Sequence, residues 1–315
     1  STHSLHRRQR QMCIRDRHLK NGLDFVGPNL RLLATLGHVY ARYSEIGLDP
    51  NGELLRKAAE CADRVFELNA NSSHGYLLLG MVQFHAGALR LAREPLERAL
   101  SVNPADPDNL LMLGYLYALI GRNEQSSRLF ADLLAIDPLT PISLCMPAFV
   151  ALLEGRHADA LPHYRKFFSM DPYNPFAAWA LGTVLLRNRR VDEASEVIAE
   201  LNASHPGSVL AQLATAILHG VGGKPAAARD AITSELRAAA KNSKLMSREI
   251  THSLALAGET DEALEWFENT VRIGNINYPF WAQHNEWVDS IRGNSRFEAI
   301  MHDVEREWLS LTSTG

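Results

Sequence analysis

The features of this sequence that could support catalysis or ligand binding are its histidines, its three cysteines and one glycine-rich loop. Thirteen histidines are present. None forms the i,i+4 pair with a carboxylate that a zinc protease helix requires, and His157 and His163 stand six residues apart. We interpret the histidines as surface or partly packed imidazoles and predict no metal site.

The cysteines give no sign of a disulfide or a reactive thiol site. Cys13, Cys61 and Cys145 are odd in number and widely spaced. That pattern supports neither a disulfide framework nor a zinc site. We predict small, apolar, reduced side chains and a cytoplasmic location.

The loop Gly220–Lys224 superficially resembles a phosphate-binding loop. It lacks the first glycine at the required spacing, Pro225 stands where serine or threonine is needed, and no strand pattern precedes it. The loop falls where the chain needs a turn between helices. No Gly-x-Ser-x-Gly motif is present either. We therefore predict no catalytic residue, no cofactor and no enzymatic activity.

Charge is unevenly distributed along the chain. The net charge is -4, yet residues 1–20 hold six basic residues against one acidic residue, Asp16. The stretch Gln9–Arg17 resembles the translation of a sequencing-adapter read-through. We predict that residues 1–20 form a disordered basic arm foreign to the native protein, and exclude about the first 18 from the functional argument.

The rest of the composition limits the classes of partner. The rest of the chain is acidic, which argues against nucleic acid as a partner. The hypothesis of nucleic-acid binding rests on the basic arm alone. No apolar run approaches the ~20 residues of a membrane helix, and the N-terminus lacks the apolar core of a secretory signal. We expect a protein or peptide partner.

A period of 34 residues dominates the remainder of the sequence. Three residue types repeat with this spacing: proline, glycine and good helix-capping residues. The prolines are Pro104, Pro138, Pro172 and Pro206, with a second series at Pro107, Pro141 and Pro175. The glycines are Gly87, Gly121 and Gly155, with Arg189 in the next slot and Gly223 after it; the caps are Ser72, Asp106, Thr140, Asn174 and Ser208.

Each series has a role in building a helix pair. The cap side chain can accept from free N–H groups of a first helix, and the glycine about fifteen residues later allows a left-handed end. A second helix then stops before the next proline. Small residues such as Gly80 and Ala92 lie mid-helix, where they let two axes approach to roughly 8 Å.

These features resemble the tetratricopeptide repeat family. One characteristic set is Leu79, Gly80, Ala92, Leu96, Ala99 and Pro104; another is Leu113, Gly114, Tyr117, Phe130 and Pro138. The resemblance implies an all-α fold, a right-handed superhelical solenoid of helix–turn–helix repeats with C-terminal capping helices. It divides the chain into an irregular first unit with an insertion (21–71), four regular units (72–207), two divergent units (208–275) and an aromatic-rich cap (276–315). The fifth repeat is expected to have one long, alanine-rich second helix.

The C-terminal region points to a signalling context. Residues 287–297 resemble the segment that closes such repeat regions in large bacterial signalling proteins, including adenylate cyclases, serine/threonine kinases and winged-helix regulators. The resemblance implies a regulatory region with a possible effector domain upstream. The alternative function is a non-catalytic fragment that regulates an attached enzyme such as a nucleotide cyclase or protein kinase.

The family resemblance also implies a peptide groove lined by the first helices. The positions that would line it here are Leu77, Met81, Phe84, Leu111, Tyr115, Cys145, Phe149, Phe176, Trp179 and Leu213. The basic residues with which some members hold a C-terminal carboxylate are missing. An apolar groove suits an amphipathic helix or an extended peptide, with Tyr115 and Trp179 as anchors. The alternative is that these side chains pack against neighbouring repeats or the protein's own tail.

Overall fold

The computed structural model describes residues 17–45, 49 and 51–312. Within those residues every regular element is helical and no strand occurs, so the all-α prediction is confirmed. The described residues divide into two compact units, with the boundary between Leu116 and Tyr117. Each unit is built from antiparallel helix pairs.

The first unit opens with helical residues 17–26, here α1. The helices that follow are α2 (Leu30–Glu45), α3 (Glu53–Leu68), α4 (Ser73–His85) and α5 (Leu89–Val102), with α6 (Pro107–Leu119) reaching the boundary. The pairs α2–α3 and α4–α5 pack together around buried Leu33, Val65 and Phe84. Residues 17–20 are helical, so a disordered arm ending at residue 20 is wrong there; residues 1–16 lie outside the described part.

The second unit continues the helix pairs and ends in a less regular segment. Its helices are α7 (Asn123–Ile136), α8 (Pro141–Leu153), α9 (His157–Met170), α10 (Pro175–Arg187), α11 (Val191–Ser204), α12 (Val209–Val221), α13 (Pro225–Ala231), α14 (Ser234–Ala240), α15 (Lys244–Leu256) and α16 (Thr260–Arg272). A π-helical turn (Phe280–His284), a 3₁₀ helix (Glu286–Ile291) and α17 (Ser295–Thr312) follow. The expected long helix after Pro225 is broken in two, because Thr233 caps a new helix by accepting from the Leu236 N–H.

The helix ends follow the sequence signals with one exception. Ser72 and Asn174 cap α4 and α10 by accepting backbone N–H groups. Thr140 was predicted to do the same but makes no such bond; its Oγ1 donates to Asp137 instead, at 2.8 Å. The inter-helix turns adopt the left-handed conformation, and Arg189, with φ of 59°, is the non-glycine residue that takes it within the described part.

Gly80 shows why a small residue is needed where α4 meets α5. A Cβ atom placed there would lie 2.5 Å from Cγ of Leu96, which is fully buried. Such a separation is far below van der Waals contact, so the two helices are held at a distance that only glycine permits.

We expect Gly80→Ala to destabilise the first unit by about 1–2 kcal/mol, because overpacking outweighs the better helix propensity of alanine. Gly293→Ala is the control, since its Cβ would meet nothing within 4 Å, and should change stability by about 0.5 kcal/mol or less. Urea unfolding followed by circular dichroism gives both values. A Gly80→Ala protein as stable as the wild type would show that the crossing has room to spare.

Candidate peptide-binding site

An open cavity of about 640 Å³ lies on the first unit, along α2 and α4. We call it the first-unit groove. Its lining residues are Arg31, Ala34, Thr35, His38, Val39, Arg42 and Tyr43 from α2; His74, Leu77, Leu78 and Met81 from α4; Asn103 after the end of α5; and Asp106 and Asp108 at the start of α6. The α2 residues recur every three or four positions, so they form one helix face. The volume is in the range of ligand pockets.

The floor of the groove is apolar. Leu77, Leu78 and Met81 are buried, with Met81 fully so. The half-buried side chain of Val39 continues this surface on α2. A ligand with an apolar face would therefore meet a preformed surface rather than one that must first be assembled.

The rim of the groove carries both signs of charge. Exposed Arg31 and Arg42 lie along α2, and exposed Asp108 lies at the start of α6. Asp106 is committed to capping α6, because its Oδ1 accepts from the N–H groups of Asp108 and Asn109 at 2.9 and 3.3 Å. The basic side of the groove is thus α2, and the acidic side is the α6 N-terminus.

The second unit closes its own inner helix faces with the chain's end. We define the C-terminal segment as residues 276–312. Its start is fixed by backbone and side-chain bonds: Ile276 N–H donates to the Leu119 carbonyl at 3.2 Å, and Asn277 Nδ2 donates to the Ala118 carbonyl at 2.8 Å. The segment therefore pairs with carbonyls in the last turn of α6, of which that of Ala118 also accepts from the Gly121 N–H at 3.3 Å.

The far end of the C-terminal segment returns to the same place. Tyr278 stacks on Trp308 of α17 with ring centroids 5.5 Å apart. Arg122 donates to the carbonyls of Leu311 and Thr312 at 2.9 and 3.3 Å. A cation at a helix C-terminus satisfies both the free carbonyls and the helix dipole, so α17 is held at its end as well as along its length.

The middle of the C-terminal segment lies over α10 and α15. The guanidinium carbon of Arg187 is 3.7 Å from the ring centroid of Trp287, a close cation–π contact. Ser290 Oγ donates to the Ala255 carbonyl at 2.7 Å. Trp287 is 4% exposed, so the contact is sealed from solvent.

A buried charged network lies beneath this contact. Arg248 Nε donates to Glu249 Oε1 at 3.0 Å, and Glu249 Oε2 lies 3.3 Å from His252 Nδ1. His252 Nε2 lies 3.0 Å from Asn285 Nδ2 of the C-terminal segment. The imidazole is completely buried and is placed to donate to the carboxylate and accept from the amide.

Burial sets the protonation states of this network. Burial lowers the pKa of His252 to about 4, although the Glu249 carboxylate opposes the shift. Burial by itself would raise the pKa of Glu249, but His252, which is charged at the low pH where this carboxylate titrates, and Arg248 outweigh it and lower the value to about 2. Burial lowers the pKa of the Arg187 guanidinium to about 10. At neutral pH the histidine is thus neutral, and the arginines and the glutamate are charged.

The predicted groove positions are mostly covered. Seven of the ten are buried: Leu77, Met81, Phe84, Leu111, Cys145, Trp179 and Leu213. The other three, Tyr115, Phe149 and Phe176, are half-buried. Trp179, 5% exposed and 5.4 Å from the Phe176 ring, is not the open anchor that we expected, because it packs within the second unit. Of the predicted positions, the first-unit groove includes Leu77 and Met81.

Sequence reasoning missed the basic side of the groove. Arg31, His38 and Arg42 occupy α2, whose repeat is irregular, so the 34-residue register did not reach them. The available signal was their spacing on one helix face. An alignment of the first repeat with the second that matches Gly37 to Gly80 would have shown that Arg31 occupies the repeat position equivalent to the groove-lining residue His74.

Other chemistry finds no support in the described part of the chain. No group of three histidine, cysteine or acidic residues could hold a metal ion there. Burial raises the pKa of the Cys145 thiol to about 12, so it is not a nucleophile at neutral pH. None of the described helices combines the length and apolar character needed to cross a membrane.

The stability of the second unit should fall as the pH is lowered from 7 to 5. The folded-state pKa of His252 lies below its unfolded value of 6.5, so the unfolded state binds the proton first. Stability is complete above pH 6.5 and is lost toward pH 4, by about 2 kcal/mol between pH 7 and 5 for this group. All five tryptophans lie in residues 117–315, so their fluorescence in urea titrations reports this unit.

His252→Gln should remove the part of that pH dependence that belongs to this group, since glutamine can still donate to Glu249 but does not titrate. The part from His157, whose pKa burial also lowers to about 4, should remain. His302→Gln, at an exposed position of α17, is the matched control and should leave it unchanged. Equal pH dependence in wild type and His252→Gln would contradict a neutral, buried His252.

Comparison with known proteins supports the repeat assignment. Residues 51–109 and 151–217 each match a family model of the tetratricopeptide repeat. A tetratricopeptide repeat protein from Parabacteroides merdae ATCC 43184 is similar, with 13% identity, a TM-score of 0.55, and coverage of 76% of this chain and 91% of that chain. The structure of the APC/C hetero-tetramer Cut9–Hcn1 is similar with 13% identity, a TM-score of 0.56, and coverage of 95% and 56%.

A third solved structure, the type IV pilus biogenesis factor PilW, has 16% identity, a TM-score of 0.50, and coverage of 69% of this chain and 98% of that chain. These identities show a shared fold and nothing finer. No curated protein sequence matches this chain. The helix pairs in a 34-residue register and the two family-model matches show that residues 51–109 and 151–217 are similar to tetratricopeptide repeats.

Proposed function

We propose that this protein is a non-catalytic interaction module that binds a segment of another protein in the first-unit groove. Tetratricopeptide repeat proteins generally mediate protein–protein interactions. The observation that carries the proposal is the open cavity of about 640 Å³ with a buried apolar floor and an exposed charged rim. The equivalent helix faces of the second unit are covered by its own chain, which leaves the first unit as the place for a partner.

The groove favours a partner segment with one apolar face and acidic side chains beside it. The apolar face would lie on Leu77 and half-buried Val39, where burial of aliphatic side chains supplies the affinity. The acidic side chains would meet Arg31 and Arg42 on α2. Asp108, on the opposite side of the groove, would repel the acidic side chains of a partner segment bound in the reversed orientation. The rim charges therefore favour one orientation of the bound segment.

We further propose a regulatory role in a larger cytoplasmic signalling protein of bacterial origin. The support is the similarity of residues 287–297 to the closing segment of such repeat regions. In the alternative form of this proposal the repeats regulate an attached enzyme, such as a nucleotide cyclase or a protein kinase. Sequencing the native gene upstream of the repeats tests this proposal. A cyclase, kinase or winged-helix domain encoded in the same reading frame supports it, and a start codon directly before the repeats contradicts it.

Reversing the basic rim should weaken partner binding without unfolding the protein. Peptides are selected from a displayed library against the wild-type chain and measured by fluorescence polarisation. We expect the double variant Arg31→Glu/Arg42→Glu to bind selected peptides at least about tenfold more weakly, since two exposed attractive charges become repulsive. Its thermal midpoint should stay close to that of the wild type because both positions are exposed.

Arg64→Glu is the matched control, an exposed arginine of α3 that does not line the groove. It should bind the selected peptides as the wild type does. Peptides that bind the rim-reversed variant with unchanged affinity, or a library that yields no binder, would refute the proposal.

A further inference from the structure

Four large apolar side chains of the second unit are exposed where α7 and α9 end and in the loops that follow them. Leu139 and Tyr173 are 81% and 78% exposed, and Ile136 and Met170 are 45% and 44% exposed. The two residues of the second loop occupy the same repeat positions as those of the first, 34 residues later. We call these four residues the two-loop patch. Single exposed apolar residues are ordinary, but a clustered set is typical of an interaction surface.

The two loops lie at the same end of their helix pairs. The first loop joins α7 to α8, and the second joins α9 to α10. Because α8 and α9 pack together as antiparallel neighbours, the start of α8 lies beside the end of α9. The packing of α9 on α10 then brings the second loop to this end as well. The four side chains therefore share one edge of the second unit.

Hydrogen bonds fix both loops in place. The Asp137 carboxylate accepts from Thr140 Oγ1 at 2.8 Å and from Ser143 Oγ at 3.1 Å. In the second loop Asn174 caps α10 with its side chain, and its N–H donates to the Asp171 carbonyl at 3.0 Å. A proline follows each of the two aspartates and fixes the backbone further. The apolar side chains are thus presented in a set geometry, so a partner that covers them has little ordering cost.

The charge around the two-loop patch is acidic. Residues 132–143 and 166–177 contain three aspartates and one lysine, so their net charge is -2. Asp171 is exposed and stands between two members of the patch in the sequence. The hydrogen bond from Thr140 lowers the pKa of Asp137, so this carboxylate also stays charged at neutral pH. Apolar contact area and negative charge therefore occur together on this edge.

The negative charge distinguishes between possible occupants. A second copy of this chain in a symmetric contact would place aspartates against aspartates, and like charges oppose association. An anionic lipid surface would be repelled for the same reason. A protein segment with lysine or arginine beside apolar residues would be attracted to the aspartates and would cover the apolar side chains.

We infer that the two-loop patch is a second interaction surface, and that it binds a protein segment in which basic residues stand beside apolar ones. Tyr173 is its main anchor, because tyrosine combines a large apolar area with a polar hydroxyl. Asp171 attracts the basic residues of the segment. The surface consists of loops rather than inner helix faces, and its ligand is opposite in charge to that of the first-unit groove.

Binding of a defined peptide to the full chain tests the inference. The probe is a fluorescein-labelled, amidated peptide of four Lys-Leu-Ser repeats, and its binding is followed by fluorescence anisotropy at low ionic strength. The control peptide has serine in place of each leucine and therefore keeps the charge without the apolar side chains. We expect saturable binding of the probe and at least about tenfold weaker binding of the control peptide, because apolar burial supplies most of the affinity.

Variants of the chain locate the binding surface. Leu139→Ser/Tyr173→Ser should bind the probe at least about tenfold more weakly and keep the thermal midpoint of the wild type, since both side chains are exposed. Leu91→Ser, at a 62% exposed leucine of α5, is the matched control and should bind as the wild type does. Asp171→Asn should weaken binding about threefold, as for loss of one exposed charge pair. Asp230→Asn, at an exposed position of α13, is the control for charge and should have no effect.

Three outcomes would overturn the inference. The first is equal affinity of the wild type and Leu139→Ser/Tyr173→Ser for the probe, and the second is binding of the control peptide as tight as that of the probe. The third comes from sedimentation velocity without peptide. A wild-type chain that self-associates, with a double variant that stays monomeric, would identify a second copy as the occupant.

Discussion

The second unit depends on the docking of its C-terminal segment across the inner helix faces. A stack of helix pairs exposes the face of each first helix unless something covers it. Here the cover is fixed at both ends, by Asn277 at the Ala118 carbonyl and by Arg122 at the end of α17. Between them Trp287 seals the buried charges of α10 and α15. Without this segment those charges and apolar side chains would meet water.

The first unit has an open inner face, whereas the inner face of the second unit is covered. The proposed function depends on this difference. The same helix positions that hold buried Trp179 and Thr183 in the second unit hold Leu77 and Met81 beside a cavity in the first. The covered face has unsatisfied donors, and the open face has charges that reach solvent. One repeat architecture thus has an open inner face in the first unit and a covered one in the second.

The sequence predicted the repeated parts well because the period is enforced by backbone geometry. Left-handed turns at Gly87, Gly121 and Gly155 and caps at Ser72 and Asn174 are local, so their signals lie within a few residues. The cover over the second unit could not be predicted, since contacts such as Asn277–Ala118 join residues more than a hundred positions apart. Thr140 failed as a cap because the nearby Asp137 carboxylate competes for its hydroxyl.

The candidate site was missed for a related reason. Periodicity identified lining positions but could not tell which are covered, and it did not extend to the irregular α2. Histidine modification by diethyl pyrocarbonate tests the contrast between the two units most directly. We predict that half-exposed His74 in the first-unit groove reacts readily, whereas fully buried His252 reacts only when the protein is unfolded. Modification of His252 in the native protein at a rate like that of His74 would contradict a closed second unit.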